Sequence, residues 1–179
     1  MQKYKEIKLV RTSAPINVSA DQLWGIVGLK FQHIGVWNRA IDDSTGSGES
    51  EHIGAPCGER SCDVAVSGYD TIEEKLTLYS DESREFAYKV LRGLPGFVLF
   101  AGNHWSVVAI SPSQCSLKME ITMHVTRFTG TILGPMLKWS FIKSIKSAFE
   151  DLAVYAESGK VSGAKLARMA QLEKKKRAA

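Results

Sequence analysis

The segment Pro15-Ile-Asn-Val-Ser-Ala-Asp-Gln-Leu-Trp-Gly-Ile-Val27 carries the start signals of a short, firmly capped helix. Ser19 has a side chain suited to the N-cap. Gln22, three positions later, is placed to bond back to the backbone of Ser19, which completes a capping box. Val18 before the cap and Leu23 after it have the spacing of a hydrophobic staple. The sequence therefore predicts a short helix that begins at Ser19.

Strand-like stretches surround this helix and are separated by turn residues such as those of Ser44–Gly48 and Ser67-Gly68. Their short spacing and tight turns favour an antiparallel meander over βαβ units. The predicted elements are a strand over 4–13, the helix over about 19–29, a short helical turn over 31–34, and strands over about 38–44, 58–66, 71–79, 84–91, 100–110 and 115–126.

The period of apolar residues becomes helical after Gly130, and it predicts a helix over 133–156 that spans about 36 Å. Because no helix of similar length precedes it, its apolar stripe is expected to meet the apolar face of the sheet. The stripe consists of Leu133, Leu137, Phe141, Ile145, Phe149, Leu152 and Ala156. Charged residues, Asp151 among them, are expected on the other side of this helix.

The C-terminal segment 156–179 is basic, with seven Lys or Arg against two Glu, whereas the whole chain of 179 residues carries only +4. A weak amphipathic helix is predicted over 161–173, with Leu166, Met169 and Leu172 on its apolar face, followed by a frayed, solvated tail. No aromatic residue lies between the tail's charges, which disfavours specific nucleic-acid binding. We predict one domain over 1–157 and a basic extension over 158–179.

Composition and cysteine content exclude several classes of protein. Hydrophobic residues make up 44% and charged residues 23% of the chain, as in ordinary globular proteins. The chain has no apolar run long enough to span a membrane and no secretory signal, so we expect a cytoplasmic protein. Cys57, Cys62 and Cys115 are expected to be free thiols, and their spacing predicts no metal site. Neither a metal nor a cofactor is expected.

Two charged residues on neighbouring predicted strands are the candidates for chemistry. Glu74 shares a strand face with Ile72, Leu76 and Leu78, so its carboxylate is expected to point into the apolar interior. A buried carboxylate is costly unless it is paired. Arg60 has the strand parity of Cys62 and Val64, which makes an Arg60–Glu74 pair plausible. The pair is open to three interpretations, namely a structural salt bridge, an anchor for a ligand, or a proton-transfer device.

The order of elements and several local motifs resemble the START-like, birch-pollen-allergen-like helix-grip superfamily, in its polyketide cyclase/dehydrase branch. The resemblance covers about residues 5–157. The motifs are Val-Ser-Ala-Asp-Gln-Leu-Trp at 18–24, Trp37-Asn38, Gly58-Glu-Arg60, Glu74-Lys-Leu76, Tyr79-Ser-Asp81, Phe86-Ala-Tyr88 and Gly93-Leu-Pro95.

The resemblance implies an α+β helix-grip fold, in which a curved antiparallel sheet of about seven strands surrounds a long C-terminal helix, with two short helices after the first strand. It also implies an internal cavity for an apolar or amphipathic small molecule. In a related rearranging synthase an Arg and a Glu at positions matching Arg60 and Glu74 act in proton transfer. In related plant hormone receptors the matching Glu holds ligand through water, but the loop after Val66-Ser-Gly68 lacks their Leu-Pro gate.

Three functions follow from these expectations. The first is binding of a small hydrophobic ligand between the sheet and the helix 133–156. The second is a cyclase or dehydratase reaction in which the Arg60–Glu74 pair moves a proton. The third is an interaction module that uses the basic tail at an anionic surface. The sequence leaves the oligomeric state open. The residues expected to contact a ligand are Trp37, Tyr79, Tyr88, Trp105, Met119, Met123, Trp139 and Phe141.

Overall fold

The computed structural model describes residues 4–66 and 69–178 and contains one antiparallel sheet of seven strands. The strand order in the sheet is β1-β7-β6-β5-β4-β3-β2, so only β1 is out of sequence order. The helix-grip fold predicted from the sequence is confirmed. The strands are β1 (Tyr4–Thr12), β2 (Ile41–Ser47), β3 (Glu59–Val66), β4 (Tyr69–Ser80), β5 (Glu85–Arg92), β6 (Val98–Ser111) and β7 (Gln114–Thr126).

Two short helical segments follow β1, and a nearly continuous helical region follows β7. The segments are α1 (Ala20–Val27), a 3₁₀ helix (Phe31–Val36), α2 (Arg127–Ile132), α3 (Gly134–Ser158) and α4 (Gly163–Ala178). The long helix α3 lies where 133–156 was predicted. It ends at Gly159, whose φ of 68° is the left-handed conformation that glycine adopts readily. No helix in the described residues is long and apolar enough to cross a membrane.

The predicted capping box is present at the start of α1. The Gln22 backbone N–H donates to Ser19 Oγ at 3.2 Å, and the Ser19 N–H donates to Gln22 Oε1 at 2.9 Å. The indole of Trp24 in α1 then donates to Asp81 Oδ1 at 2.8 Å. Because Asp81 follows β4 directly, this bond joins the helix to the turn between β4 and β5. The capped helix therefore closes one end of the curved sheet.

Two features of the sheet differ from the sequence prediction. The segment Ser44–Gly48 was predicted as a turn, but β2 continues through Ser47, which pairs with Glu59 of β3. A register shift between Leu76 and Leu78 lets Tyr79 enter the core and leaves Leu78 partly exposed. A bulge inserts one extra residue and so reverses the inward and outward alternation after it. The predicted turn at Ser67-Gly68 lies outside the described residues.

Asp151 of α3 is buried, although the helical wheel placed it on the solvent side. Its side chain has no solvent exposure. It accepts hydrogen bonds from Arg39 Nε at 2.8 Å and Nη2 at 2.6 Å, and from the Ser162 hydroxyl. Burial opposes ionisation of Asp151, but the hydrogen bonds from Arg39 and Ser162 outweigh it and hold its pKa below the ordinary value. The carboxylate therefore ties the segment before β2 to α3 and to the start of α4.

The C-terminal helix α4 is held by its cations rather than by its predicted apolar face. Leu166 and Met169 are exposed, whereas Lys165 is buried and its Nζ donates to the carbonyl oxygen of Ile41 at 2.5 Å. Arg168 Nε donates to Asp42 Oδ1 at 2.7 Å. The helix predicted over 161–173 is present as α4, but the predicted apolar face is wrong, and the helix continues through Ala178 where a frayed tail was predicted. The division of the chain at residue 157 stays a prediction.

We predict that Asp151→Asn lowers the free energy of unfolding by about 2–4 kcal/mol, because it removes the charge that Arg39 and Ser162 were arranged to bind. Chemical denaturation of both proteins measures the difference. Since the pKa of Asp151 is lowered by folding, its contribution is complete above its ordinary value of 3.8 and is lost as the pH falls through the lower folded value.

Glu150→Gln is the matched control for this prediction, because Glu150 is half-exposed and lies 3.5 Å from Arg39 Nη2. A solvent-exposed pair of this kind contributes less than about 1 kcal/mol. The buried network would be contradicted if both variants lowered the free energy of unfolding equally. It would also be contradicted if the effect of Asp151→Asn on the free energy of unfolding stayed the same at low pH.

Candidate functional site

Arg60 of β3 and Glu74 of β4 are directly opposite each other in the antiparallel register. Side chains of opposed residues lie on the same face of a sheet, here the concave face. Arg60 Nε donates to Glu74 Oε2 at 2.8 Å, and Arg60 Nη2 donates to the same oxygen at 2.5 Å. The pair predicted from strand parity is therefore formed in the structure.

The Arg60 guanidinium is enclosed on all sides and is only 3% exposed. Its central carbon lies 3.9 Å from the ring centroid of Phe31 and 5.2 Å from that of Tyr88. Nη1 donates to the Phe31 carbonyl oxygen at 2.6 Å. Burial opposes the charge of Arg60, but Glu74 outweighs it and keeps the pKa of Arg60 above its ordinary value. Arg60 therefore stays positively charged, and it is buried behind Glu74.

Glu74 lines a cavity of about 310 Å³ between the concave face of the sheet and the first half of α3. Leu137 and Phe141 of α3 cover it, and the loop between β5 and β6 borders it. That loop turns at Gly93, where φ is 87° and a Cβ atom would lie 2.2 Å from the Thr71 carbonyl oxygen, so only glycine fits. The other lining residues are Val64, Ile72, Tyr88, Val90, Leu94, Pro95, Phe97, Val98, Ala101, Gly102, Asn103, Ile121 and Met123.

Three polar groups face this mostly apolar cavity. Both hydrogen bonds from Arg60 go to Glu74 Oε2, so Oε1 has no hydrogen-bond partner among the described residues. Tyr88 Oη accepts from Asn103 Nδ2 at 3.3 Å. The amide oxygen of Asn103 is buried and has no partner among the described residues. The carboxylate oxygen and the Tyr88 hydroxyl thus remain for a bound molecule, and Asn103 adds an unsatisfied amide oxygen beside them.

Apart from Arg60, the ionisable side chains beside Glu74 are those of Tyr88 and Cys62, and both are uncharged at neutral pH. Burial, and then the charge of Glu74, raise the pKa of Tyr88, so its hydroxyl stays protonated at neutral pH. Cys62 Sγ lies 3.9 Å from Glu74 Oε2, and burial raises its pKa to about 12. A thiol with so high a pKa is a poor nucleophile and a poor metal ligand. In the described part of the chain, no group of three or more His, Cys, Asp or Glu side chains is placed to hold a metal ion.

Residues 9–157 match the sequence model of a family described as polyketide cyclase/dehydrase and lipid transport. The chain belongs to this family. The match covers most of the chain, which confirms the resemblance predicted from the ordered motifs. No curated protein matches the sequence.

Solved structures show the same fold at low sequence identity. Norcoclaurine synthase from Thalictrum flavum in complex with dopamine and hydroxybenzaldehyde is 17% identical, with a TM-score of 0.62 over 87% of this chain and 91% of that one. The Zhui aromatase/cyclase from Streptomyces sp. R1128 is 13% identical, with a TM-score of 0.63 over 88% and 100%. A START superfamily protein from Mycobacterium smegmatis is 16% identical, with a TM-score of 0.56 over 81% and 98%.

In this member of the family, the structure brings some of the predicted ligand contacts to the cavity and leaves others elsewhere. Glu74, Tyr88, Met123 and Phe141 line it. The other predicted contacts do not line the cavity. Some lie at the end of the sheet that α1 and the 3₁₀ helix fill, and one points outward. Trp37, Tyr79, Trp105 and Met119 are buried in the core, and Trp139 is exposed on the outside of α3.

Asn103 lines the cavity but was not predicted from the sequence as a site residue. Asn103 has the same strand parity as Trp105 and Val107 on β6, both of which are buried. A polar residue on the inward face of a strand is a signal for a functional or satisfied buried group. Strand parity alone was therefore sufficient to select Asn103.

A second, larger cleft of about 440 Å³ lies between the end of β1 and the later part of α3. Ile16, Ile145 and Phe149 form its apolar walls. Its charged residues, Arg11, Lys146 and Glu150, are all exposed. Because none of them is held in a buried position, the smaller cavity at Glu74 is the better candidate for a specific site.

We predict that Arg60→Leu lowers the free energy of unfolding by about 3–5 kcal/mol, because it leaves Glu74 buried without a counter-charge. The double variant Arg60→Leu, Glu74→Leu is expected to recover a large part of this loss, since no charge is then buried. Denaturation in urea measures both. As a control, Arg92→Gln removes the exposed ion pair with Glu73, and it is expected to lower the free energy of unfolding by less than about 1 kcal/mol. A double variant no more stable than Arg60→Leu would contradict this description of the pair.

Proposed function

We propose that the cavity at Glu74 binds a small, mostly apolar molecule through a neutral hydrogen-bond donor such as a hydroxyl group. The observation that carries this proposal is the free Oε1 atom of Glu74 in an otherwise apolar cavity. Ligand sites are typically apolar pockets with a few fixed polar groups that set orientation. Glu74 is such a group, because two bonds from Arg60 fix the position of its carboxylate.

Charge balance favours a neutral ligand over an ionic one. Arg60 and Glu74 already compensate each other, so a ligand cation or anion would add an unpaired charge to a buried site. A hydroxyl group can donate to Glu74 Oε1 without adding charge. Asn103 is placed to accept from or donate to a second polar group, because its amide ends exchange when the side chain turns.

The size of the cavity and one of the relatives support the same class of ligand. A volume of about 310 Å³ lies at the lower end of the range for small-molecule pockets, which suits one or two rings or a short chain. The ligands in the norcoclaurine synthase structure, dopamine and hydroxybenzaldehyde, are small aromatic compounds with hydroxyl groups, and hydroxybenzaldehyde is a neutral compound of the proposed class. Transport of such a molecule, or of a lipid, within the cytoplasm is the corresponding cellular role.

An enzymatic role is the second candidate, and the unpaired Oε1 atom favours it as well. In that case Glu74 accepts a proton from the substrate, and Arg60 acts only as a positioning residue because it does not line the cavity. Tyr88 is the nearest second acid, but its raised pKa makes proton release unfavourable at neutral pH. The cavity therefore offers one proton-transfer group where a cyclase or dehydratase reaction needs an acid and a base, which favours binding.

We predict that Ala101→Phe abolishes binding of 4-butylphenol, a probe with one hydroxyl and an apolar tail, because the new ring fills the cavity. Ala153→Phe makes the same change in the larger cleft and is expected to leave binding unaltered. Isothermal titration calorimetry measures both, and circular dichroism checks that each variant is folded. Loss of binding in Ala153→Phe alone would place the ligand in the other cleft.

We predict that Glu74→Gln weakens binding of the same probe by about five- to tenfold, because a neutral amide accepts a weaker hydrogen bond than a carboxylate.

Turnover distinguishes the two candidate functions once a natural substrate has been isolated with the protein. Unchanged affinity together with abolished conversion in Glu74→Gln would favour the enzyme over the binder.

A further inference from the structure

Four large apolar side chains are exposed in one row on the outside of α2 and α3. Phe128, Ile132, Met136 and Trp139 have exposed fractions of 78%, 60%, 58% and 65%. We call these four residues the outer stripe. An exposed apolar surface of this kind marks an interaction site more often than single scattered residues do.

The outer stripe is continuous because α2 and α3 are almost one helix. Leu133 between them keeps right-handed helical backbone angles, and the Leu137 N–H donates to the Leu133 carbonyl oxygen at 2.9 Å. Spacings of four, four and three residues place the members of the stripe above one another on a helix. Leu137 and Phe141 lie on the opposite side of the same helix, where they cover the cavity.

The charges near the outer stripe are predominantly positive, and the acidic residue that follows them, Glu150, lies 4.0 Å from Lys146 Nζ at the far end. Residues 127–149 contain Arg127, Lys138, Lys143 and Lys146 and no Asp or Glu. Lys143 and Lys146 continue the direction of the stripe beyond Trp139, and Lys143 Nζ lies 5.6 Å from the Trp139 ring centroid. Lys5 of β1 adds a further cation, since its side chain packs against Gly130 of α2.

This combination fits an anionic lipid surface better than a second copy of the chain. In a symmetric dimer the same patch meets itself, so the interface would gather the cations of both copies, and segment 127–149 offers no acidic residue to pair with them. Exposed Trp and Phe beside Lys and Arg are typical of helices that lie in a membrane interface, with apolar side chains about 5–10 Å deep. Lys143 and Lys146 lie on the same side of the helix as the stripe, and their long side chains can reach the headgroups while their stems contact the apolar region.

We propose that the outer stripe and its flanking cations form a docking surface for anionic lipid membranes. In the docked state the stripe enters the interface, and α3 separates the membrane from the cavity by about one helix diameter, some 10–12 Å. The docking surface does not depend on what the cavity binds, so it stands or falls independently of the proposed ligand site.

Trp139 provides a direct readout, because it is exposed whereas Trp24, Trp37 and Trp105 are buried. The test compares vesicles of phosphatidylcholine alone with vesicles in which a third of the lipid is phosphatidylglycerol. We expect the full chain to co-sediment with the anionic vesicles only. Its tryptophan emission should shift to the blue and be quenched by brominated acyl chains, and Trp139→Phe should remove both changes.

Two matched variants locate the surface. Phe128→Ser with Trp139→Ser is expected to reduce the partition coefficient at least tenfold, whereas Leu166→Ser with Met169→Ser, on exposed positions of α4, should leave it unchanged. Replacement of Lys174, Lys175, Lys176 and Arg177 by Gln tests the C-terminal basic residues as the alternative surface. We expect that variant to retain at least half of the binding.

Several outcomes would overturn the proposal. In the first, the protein does not bind anionic vesicles at all, or it binds neutral vesicles equally well. In the second, binding is abolished by the C-terminal replacements but not by Phe128→Ser with Trp139→Ser. In the third, the protein is a dimer in solution, and Phe128→Ser with Trp139→Ser dissociates it. The cavity-filling variant Ala101→Phe should dock normally. If that variant no longer binds 4-butylphenol but still binds the vesicles, the two sites are separate.

Discussion

The buried ion pair between Arg60 and Glu74 constrains the whole concave side of the sheet. Removing two opposite charges from water is unfavourable unless nearly every donor and acceptor is satisfied. Here the β3–β4 register brings the two side chains together, and the 3₁₀ helix supplies the Phe31 ring and carbonyl oxygen for the remaining side of Arg60. The capped helix α1 matters because it positions that segment against the sheet.

The long helix is held firmly at one end and lightly at the other. In its second half, Asp151 bonds to Arg39 and Ser162, and Ile145 and Leu152 are buried in the core. In its first half, Leu137 and Phe141 cover the cavity and are only partly buried. Regions with few buried contacts open more easily than the core, so we expect access to the cavity beneath this half of α3.

The sequence was sufficient for the fold and for the ion pair because both depend on local patterns. The capping box, the alternation of β7 and the parity of Arg60 and Glu74 are all read from neighbouring residues. Asp151 was misplaced, and the burial of Lys165 was not predicted, because each depends on a partner far along the chain, Arg39 for Asp151 and Ile41 for Lys165. The bulge between Leu76 and Leu78 likewise has no local signature, and it decides that Tyr79 packs in the core and not Leu78.

The central claim is that the cavity beside Glu74, and no other part of the protein, takes up the ligand. Methionine methyl NMR tests it directly, because Met123 lines the cavity, Met119 lies in the core, and Met136 and Met169 are exposed. On titration with 4-butylphenol we predict a saturable shift of the Met123 resonance, with Met136 and Met169 unchanged. A saturable shift confined to an exposed methionine, or an unchanged Met123 signal under conditions where calorimetry detects binding, would contradict the account.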